Sequence, residues 1–349
     1  MKTILVTGGA GFFGGILKRT VLEAGHRCIS VDICPDNDGH PNLDSRQIDL
    51  RDRDALDQLF ASAAASGHPV DGVVHCAAML AHGSEDPTNL WSSNVDGTRN
   101  LMEAMRKHGV RQHVFTSTNC LWGEAMGRPV REDDPPNPVE LYGRSKVEAE
   151  RIIREYGDIH SVLLRCPTII DFGRLGLLSI LFEFIDEGRR VWAVGGGRNR
   201  YQFIYAQDLA DACILALDYP HSEAFNIGSD NVKTIAEVYD YVIRNSRSKA
   251  KVAALPRGPA LAAMKLAYHL KISPLGPYHY KMIAEDFLFD TSRIKERLGW
   301  RPTMTNEEML WRAYQYYSKN RREIEARQDV SAHRKTARMG VIRLLKWVS

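Results

Sequence analysis

Continuous apolar runs alternate with longer amphipathic stretches through the first half of the chain. The runs are Thr3–Val6, Cys28–Asp32, Gly72–His75, His113–Thr116 and Ser161–Arg165. Their side chains do not alternate between apolar and polar, which is the pattern of strands buried on both faces. Between them lie Ile16–Ala24, Asp54–Ala65, Thr88–His108 and Leu141–Tyr156, with apolar residues at helical spacing. Such strand–helix alternation predicts an α/β fold, a doubly wound parallel sheet covered by helices on both faces. After about residue 170 the rhythm breaks. Gly195-Gly196-Gly197 marks a turn, and Asp208–Leu217 reads as a helix. Pro256, Pro259, Pro274 and Pro277 break up a stretch foreign to a simple α/β pattern. Thr291–Leu298 reads as a short helix, stopped by Gly299 with Pro302 beyond it.

Composition narrows the classes. Of 349 residues, 44% are hydrophobic and 26% charged, as in an ordinary soluble globule. Lysine and arginine number 46 against 43 acids, a net +3 that argues against a nucleic-acid binder. The six cysteines are scattered without a C-x-x-C pair, so neither a metal site nor a disulfide scaffold is expected. Reduced thiols point to a cytoplasmic setting. The apolar stretch near the N-terminus is too short for a signal-peptide core, and no run is long enough to predict a transmembrane helix.

The first predicted strand runs into Thr7-Gly8-Gly9-Ala10-Gly11-Phe12-Phe13-Gly14, and a helical pattern follows at once. That is the context of a dinucleotide-binding fingerprint. Gly8 and Gly11 permit a tight turn and close approach of backbone to a pyrophosphate, Gly14 lets helix pack on strand, and the helix N-terminus attracts the phosphates. Asp32 ends the second strand, where a carboxylate accepts both adenosine ribose hydroxyls and repels a 2′-phosphate. The expected cofactor is therefore NAD rather than NADP, on a Rossmann-type sheet. Residues 1–170 are expected to form the NAD-binding domain, with returning segments near 200–228. Residues 171–320 are expected to be mainly a smaller α/β substrate-binding region, and 321–349 a basic tail.

Tyr142-Gly143-Arg144-Ser145-Lys146 opens a helix, and its four-residue spacing sets Tyr142 and Lys146 on one face. A free phenol is too weak an acid to serve as a base at neutral pH. A nearby ammonium and a positive nicotinamide ring both favour the phenolate, so the expected pKa is lowered. The pair then moves a proton on or off a substrate hydroxyl. The strand ending at Thr116 continues into Ser117-Thr118-Asn119-Cys120-Leu121-Trp122-Gly123, at the carboxyl end where parallel sheets bind ligands.

The chain resembles the extended short-chain dehydrogenase/reductases, in particular the NAD-dependent epimerase/dehydratase group. The resemblance rests on residues 7–14, Asp32, Asp49-Leu50, His75-Cys76-Ala77-Ala78, Asn94-Val95-Asp96-Gly97-Thr98, residues 116–123, Tyr142–Lys146, Arg165-Cys166-Pro167, Asp208-Leu209-Ala210-Asp211 and Phe225-Asn226-Ile227-Gly228. These occur in family order over roughly residues 1–317. The resemblance implies that Thr118, Tyr142 and Lys146 are catalytic, with Lys146 also holding the nicotinamide ribose. It implies adenine contacts from Asp49 and Leu50. It implies further cofactor contacts from Phe12, Phe13, Cys76, Ala77, Ala78, Asn94, Thr116, Pro167 and Thr168. Family 4,6-dehydratases carry an Asp-Glu pair where Asn119 and Cys120 stand, and family decarboxylases a Glu at the latter, so neither chemistry is expected. In 3,5-epimerases of GDP-sugars a Cys at the spacing of Cys120 acts as acid/base, which makes Cys120 a further catalytic candidate.

The anchor for the substrate departs from the family. Nucleotide-sugar members often carry Arg-Asp-Tyr/Phe before the Asp-Leu-Ala helix, whereas here Arg198-Asn199-Arg200-Tyr201-Gln202-Phe203 sets Tyr201 at the arginine position. Arg198 and Arg200 are candidates to grip a diphosphate, with Arg174 and Arg257 behind them. Met79, Asn119, Cys120 and Tyr201 complete the candidate substrate set. Two activities stay open. One is NAD-dependent epimerisation of a nucleotide-activated sugar through Tyr142, Lys146 and Thr118. The other is dehydrogenation of a hydrophobic alcohol, of 3β-hydroxysteroid or dihydroflavonol type, with release of NADH. The unusual anchor, the apolar stretch Pro259–Leu270, and Met79, Leu80, Leu121 and Trp122 favour the second. A cofactor-binding regulator would be expected to lose the Tyr–Lys pair, which is intact. The family's pairing of helices like Thr88–His108 and Leu141–Tyr156 implies a homodimer. The basic and apolar residues 334–348 suggest peripheral contact with an anionic membrane.

Overall fold

The computed structural model describes residues 1–80, 86–270 and 283–326. Seven parallel strands form the main sheet: β1 (Thr3–Thr7), β2 (Arg27–Asp32), β3 (Leu43–Gln47), β4 (Gly72–His75), β5 (Gln112–Thr118), β6 (His160–Cys166) and β10 (Glu223–Asn226). Their order across the sheet is β10-β6-β5-β4-β1-β2-β3. The order reverses between β1 and β4, which opens a crevice at the carboxyl ends of those two strands. The α/β architecture is therefore the doubly wound one that the apolar pattern predicts.

Helices α1 (Phe12–Glu23) and α7 (Ala206–Ala216) cover one face, packing Phe13, Leu17 and Leu209 over Ile4, Val6, Val114 and Leu164. On the other face, α2 (Arg53–Ala65), α4 (Gly97–Lys107) and α5 (Leu141–Arg154) pack Leu56, Met102 and Ile152 over Leu5, Val73 and Phe115. Burying each such side chain contributes about 1.5–3 kcal/mol. A third cluster, around Phe182, Val238, Met309 and Tyr317, joins α6 (Leu178–Asp186), α8 (Ile235–Ser246) and the long helix Asn306–Ala326. Two small parallel sheets lie outside the main one. In one, β7 (Thr168–Ile170) pairs with β9 (Phe203–Tyr205). In the other, β8 (Arg190–Val194) pairs with β11 (Lys251–Leu255).

Several boundaries differ from the sequence expectation for physical reasons. Helix α1 begins at Phe12, because Phe12 and Phe13 are buried ahead of the glycines that blur the apolar period. The stretch Thr88–His108 is three pieces: α3 (Pro87–Trp91), a π turn over Ser92–Asp96, and α4. The proline-rich stretch holds a helix, α9 (Arg257–His269), with Pro259 in its first turn, where a missing N–H breaks no helical bond. Pro274, Pro277, Ala81–Glu85 and the basic tail beyond Ala326 lie outside the described residues. Among the described residues no helix is long and apolar enough to cross a membrane.

Candidate active site

The turn after β1 is shaped by what its glycines leave out. Gly8 has φ +78, and a Cβ there would lie 2.8 Å from the Ala77 backbone at the end of β4. A Cβ on Gly14 would lie 2.0 Å from the Gly8 carbonyl. Glycine at both positions draws β1, β4 and the start of α1 into close contact. Helix α1 has no side-chain cap at Gly11 and no acid in its first turn. Its backbone dipole is therefore available to an anion. Asp32 faces this turn, accepting the Ala10 amide at 3.0 Å and the Cys34 amide at 2.9 Å.

The carboxyl end of β4 is fixed to the same turn. The Ala77 amide donates to Thr7 Oγ1 at 3.2 Å, and the Cys76 thiol donates to the Thr7 carbonyl at 2.8 Å. The π turn carries Asn94 inward. Its Oδ1 accepts the Met79 amide at 2.7 Å, and its Nδ2 donates to the Met79 carbonyl at 2.9 Å and to Ser145 Oγ at 3.0 Å. Ser145 in turn donates to the Tyr142 carbonyl at 2.8 Å. Asn94 thus ties the segment after β4 to the helix bearing Tyr142 and Lys146. Further out, the Leu50 carbonyl accepts from Asn100 at 3.0 Å, while Asp49 is held by Arg51, whose hydrogen bonds keep its carboxyl below the usual range.

Thr118 ends β5, and its hydroxyl accepts the Cys120 amide at 3.1 Å, closing the turn Asn119–Leu121. The first turn of α5 presses against this turn. A Cβ on Gly143 would lie 2.3 Å from the Cys120 carbonyl, so only glycine lets α5 approach closely enough to set Tyr142 beside Thr118. Burial pushes the Tyr142 phenol well above its ordinary value, against a hydrogen bond with Thr118 that lowers it. The expected lowering of this pKa depends on a positive nicotinamide ring beside the phenol. Lys146 is 2% exposed; its ammonium donates to the Thr116 carbonyl at 2.8 Å and lies 3.8 Å from the centroid of the Phe115 ring. Burial pushes it down to about 8, so it remains mostly charged at neutral pH. Burial pushes the Cys76 and Cys166 thiols up to about 12, which leaves both protonated. Pro167 separates β6 from β7, where Thr168 pairs with Phe203.

The substrate candidates divide. Arg198 lines a cavity of about 620 Å³ together with Asn199, Arg257, Glu285 and Asp286. Arg200 instead pairs with Asp286 at 3.1 Å in an exposed salt bridge and is not part of that lining. Tyr201 is buried among Phe203 and Phe287, and its hydroxyl accepts from Asn119 Nδ2 at 2.6 Å. It joins the second region to the turn after Thr118 rather than facing solvent as an anchor. Arg174 lies with its guanidinium 6.0 Å from the Phe12 ring centroid. The contributions of Thr7, Gly143 and Ser145 were not legible in the sequence, since each acts through a tertiary approach. The one available signal was the glycine standing between Tyr142 and Lys146.

The dinucleotide fit is thus a glycine cradle that a Cβ would fill, with an acid at its rim. Similarity to known proteins agrees. An uncharacterized protein of Sinorhizobium fredii, y4nG, is 33% identical over 350 residues, spanning 99% of this chain and 86% of its own length. A UDP-glucose 4-epimerase of Lacticaseibacillus casei is 32% identical over 260 residues, 65% of this chain and 76% of that one. Among solved structures, the Bordetella bronchiseptica enzyme WbmH in complex with NAD+ superposes with a TM-score of 0.72 at 25% identity, covering 91% of this chain and 98% of that one. The sequence pattern of the NAD dependent epimerase/dehydratase family matches residues 4–228, and NAD is the cofactor of that family. The chain belongs to the NAD-dependent epimerase/dehydratase family.

Proposed function

We propose that the protein inverts a hydroxyl-bearing carbon of a nucleotide-activated sugar, with NAD kept and recycled. The observation that carries this reading is the setting of Tyr142 beside Thr118 at the carboxyl end of the sheet, with Lys146 buried one turn on. Arg198 and Arg257 line one cavity with Glu285 and Asp286, and they are the cations proposed to grip a diphosphate, Arg257 by exchanging its pair with Glu285. The similarity to a UDP-glucose 4-epimerase supports a UDP-sugar as substrate.

In this reading Gly8, Gly11, Phe12, Phe13, Gly14, Asp32, Asp49, Leu50, Cys76, Ala77, Ala78, Asn94, Thr116, Pro167 and Thr168 border NAD. NAD, when bound, supplies a reversible hydride acceptor and a positive ring beside the reacting carbon. Tyr142 takes the proton from the substrate hydroxyl and later returns it. Thr118 Oγ1 hydrogen-bonds the same oxygen and holds it in line with the phenol. Lys146 offsets the cost of a buried phenolate with its own charge. Cys120 is placed to act as acid/base on a carbon next to the transient ketone, and Met79 and Asn119 border the sugar. The dinucleotide-binding part is residues 1–170 with the returning segments, the substrate part is 171–320, and the free cysteines fit a cytoplasmic setting. Pairing of two copies through α4 and α5 is part of the same reading, as is membrane contact by residues 334–348.

The test is incubation of the full chain with UDP-glucose, UDP-N-acetylglucosamine and their GDP and ADP counterparts, followed by proton NMR of the sugar. Epimer should form while absorbance at the NADH band stays flat. Tyr142→Phe should lower turnover by roughly 10²–10⁴-fold, the worth of one general acid–base group, with NAD binding retained. Net NADH from a hydrophobic alcohol, with every nucleotide-sugar unchanged, would replace this reading with the dehydrogenase one.

A further inference from the structure

Lys18 stands on the buried face of α1, among Phe13, Leu17 and Val21, where the apolar period calls for an aliphatic residue. Its side chain is 2% exposed. The ammonium donates to Asp36 at 2.5 Å and to Asp38 at 3.0 Å, and Ser30 Oγ donates to the same Asp36 oxygen at 2.7 Å. Gly9 roofs this cluster, since a Cβ there would lie 2.0 Å from Ser30 Oγ and 3.3 Å from Lys18 Cδ.

The place of the cluster in the sheet gives it meaning. Cys28, Ser30 and Asp32 alternate onto one face of β2, so the ion pair lies one pleat behind Asp32 and under the glycine turn. The segment that follows Asp32 is otherwise exposed, with Ile33 at 53%. Its other ties are few: the Cys34 amide to Asp32, the Asp38 amide to Asp36, and Gln47 to the Ile33 carbonyl. Burial pushes the Asp36 carboxyl up, but the hydrogen bonds from Lys18 and Ser30 outweigh it and hold the carboxyl below its usual value. Asp36 is therefore ionised at neutral pH. Stability alone does not favour it, because apolar residues in place of a buried ion pair usually do as well or better.

We propose that Lys18 is a positioning residue for NAD: by drawing Asp36 and Asp38 down onto α1 it fixes the segment after Asp32 in the shape that receives the adenosine ribose. This rests on the reading of Asp32 as the ribose-binding carboxylate. A preformed segment spares the ordering cost that binding would otherwise meet.

Lys18→Met alone strands a buried carboxylate and can cost the fold itself, so the informative variant is Lys18→Met with Asp36→Asn. It removes both charges and keeps an acceptor for Ser30. Isothermal titration of the NAD-stripped full chain with NAD and with ADP-ribose, and a circular-dichroism melt without either, make the test. Both ligands should bind about tenfold more weakly, as expected from lost preorganisation, while the melting temperature stays near that of the parent. Unchanged affinity for both ligands overturns the proposal. So does a loss of affinity that comes only with a lowered melting temperature, which would mark the pair as structural. A parent chain that binds neither ligand would instead overturn the reading of Asp32.

Discussion

At the scale of single residues, burial decides which groups carry charge beside the crevice. His75 is held from both sides. Thr98 donates its hydroxyl to the Asn94 carbonyl at 2.6 Å, so its oxygen accepts from His75 Nε2–H at 3.0 Å, and Thr7 then donates to Nδ1 at 2.7 Å. The neutral ring satisfies every partner, and it links the end of β1 to the base of the π turn that carries Asn94. Burial pushes His75 well below its ordinary value and His113, one strand over, down to about 3. Both rings are neutral in the fold, whereas in the unfolded chain they take up protons near pH 6.5. The unfolded state then binds more protons, so stability is present in full above pH 6.5 and is lost as pH falls toward 3. Each histidine should cost about 1.4 kcal/mol per pH unit below 6.5. Urea midpoints at pH 7, 6 and 5 measure this. They should fall steeply in the parent and about half as steeply, from this source, in His113→Leu; equal midpoints at pH 7 and 5 would show that the rings accept protons in place.

At the scale of elements, the proposed reacting groups depend on one close approach, that of α5 to the turn Asn119–Leu121. Gly143→Ala places a methyl 2.3 Å from the Cys120 carbonyl and 3.0 Å from Pro138 Cβ. Either the turn or the helix must shift, at a cost of about 1–3 kcal/mol in stability. A displacement of about 1 Å at reacting groups costs turnover by about 10²-fold. Steady-state rates should show that loss in kcat, while NAD affinity stays near that of the parent, because the glycine turn after β1 is untouched. The same contrast explains what could be read in advance. Strands β1, β2, β4, β5 and β6 are central and buried along most of their length, each around a short apolar run, so those runs stand out in the sequence. Strand β3 is a half-exposed edge of Leu43-Asp44-Ser45-Arg46-Gln47, and β7 and β9 have three residues each, too few for a period to register. The glycine fingerprint, Asp32 and the Tyr142–Lys146 spacing were legible because each is a local pattern. The contact made by Gly143, the ion pair of Lys18 and the inward turn of Tyr201 were not, since they depend on segments far apart in sequence.

At the scale of the whole molecule, the proposed pairing of two copies through α4 and α5 would meet an outer surface of charges. Glu103, Arg106, Lys107, Arg144, Arg151 and Arg154 are all exposed there. Arg99 pairs with Glu155 at 3.2 Å, Arg106 with Asp158 at 3.5 Å, Arg53 with Glu103 at 3.3 Å and Arg151 with Glu148 at 2.7 Å. Trp91, 37% exposed on α3, which packs against α5, is a large apolar residue available to such a contact. Stable interfaces concentrate apolar and aromatic residues at the centre and exclude charge from it. A dimer formed here must therefore exchange ion pairs within each chain for ion pairs between chains, around a tryptophan anchor. Attraction of that kind reaches about 10 Å at 0.1 M salt and about 3 Å at 1 M. Light scattering should accordingly give twice the single-chain mass of 39.3 kDa in dilute buffer and a mass falling toward that value in concentrated sodium chloride. Trp91→Ala should move the balance to single chains at either salt. A doubled mass that survives high salt and this substitution would mean that the two copies meet through a different surface, and that the charged faces of α4 and α5 stay in water.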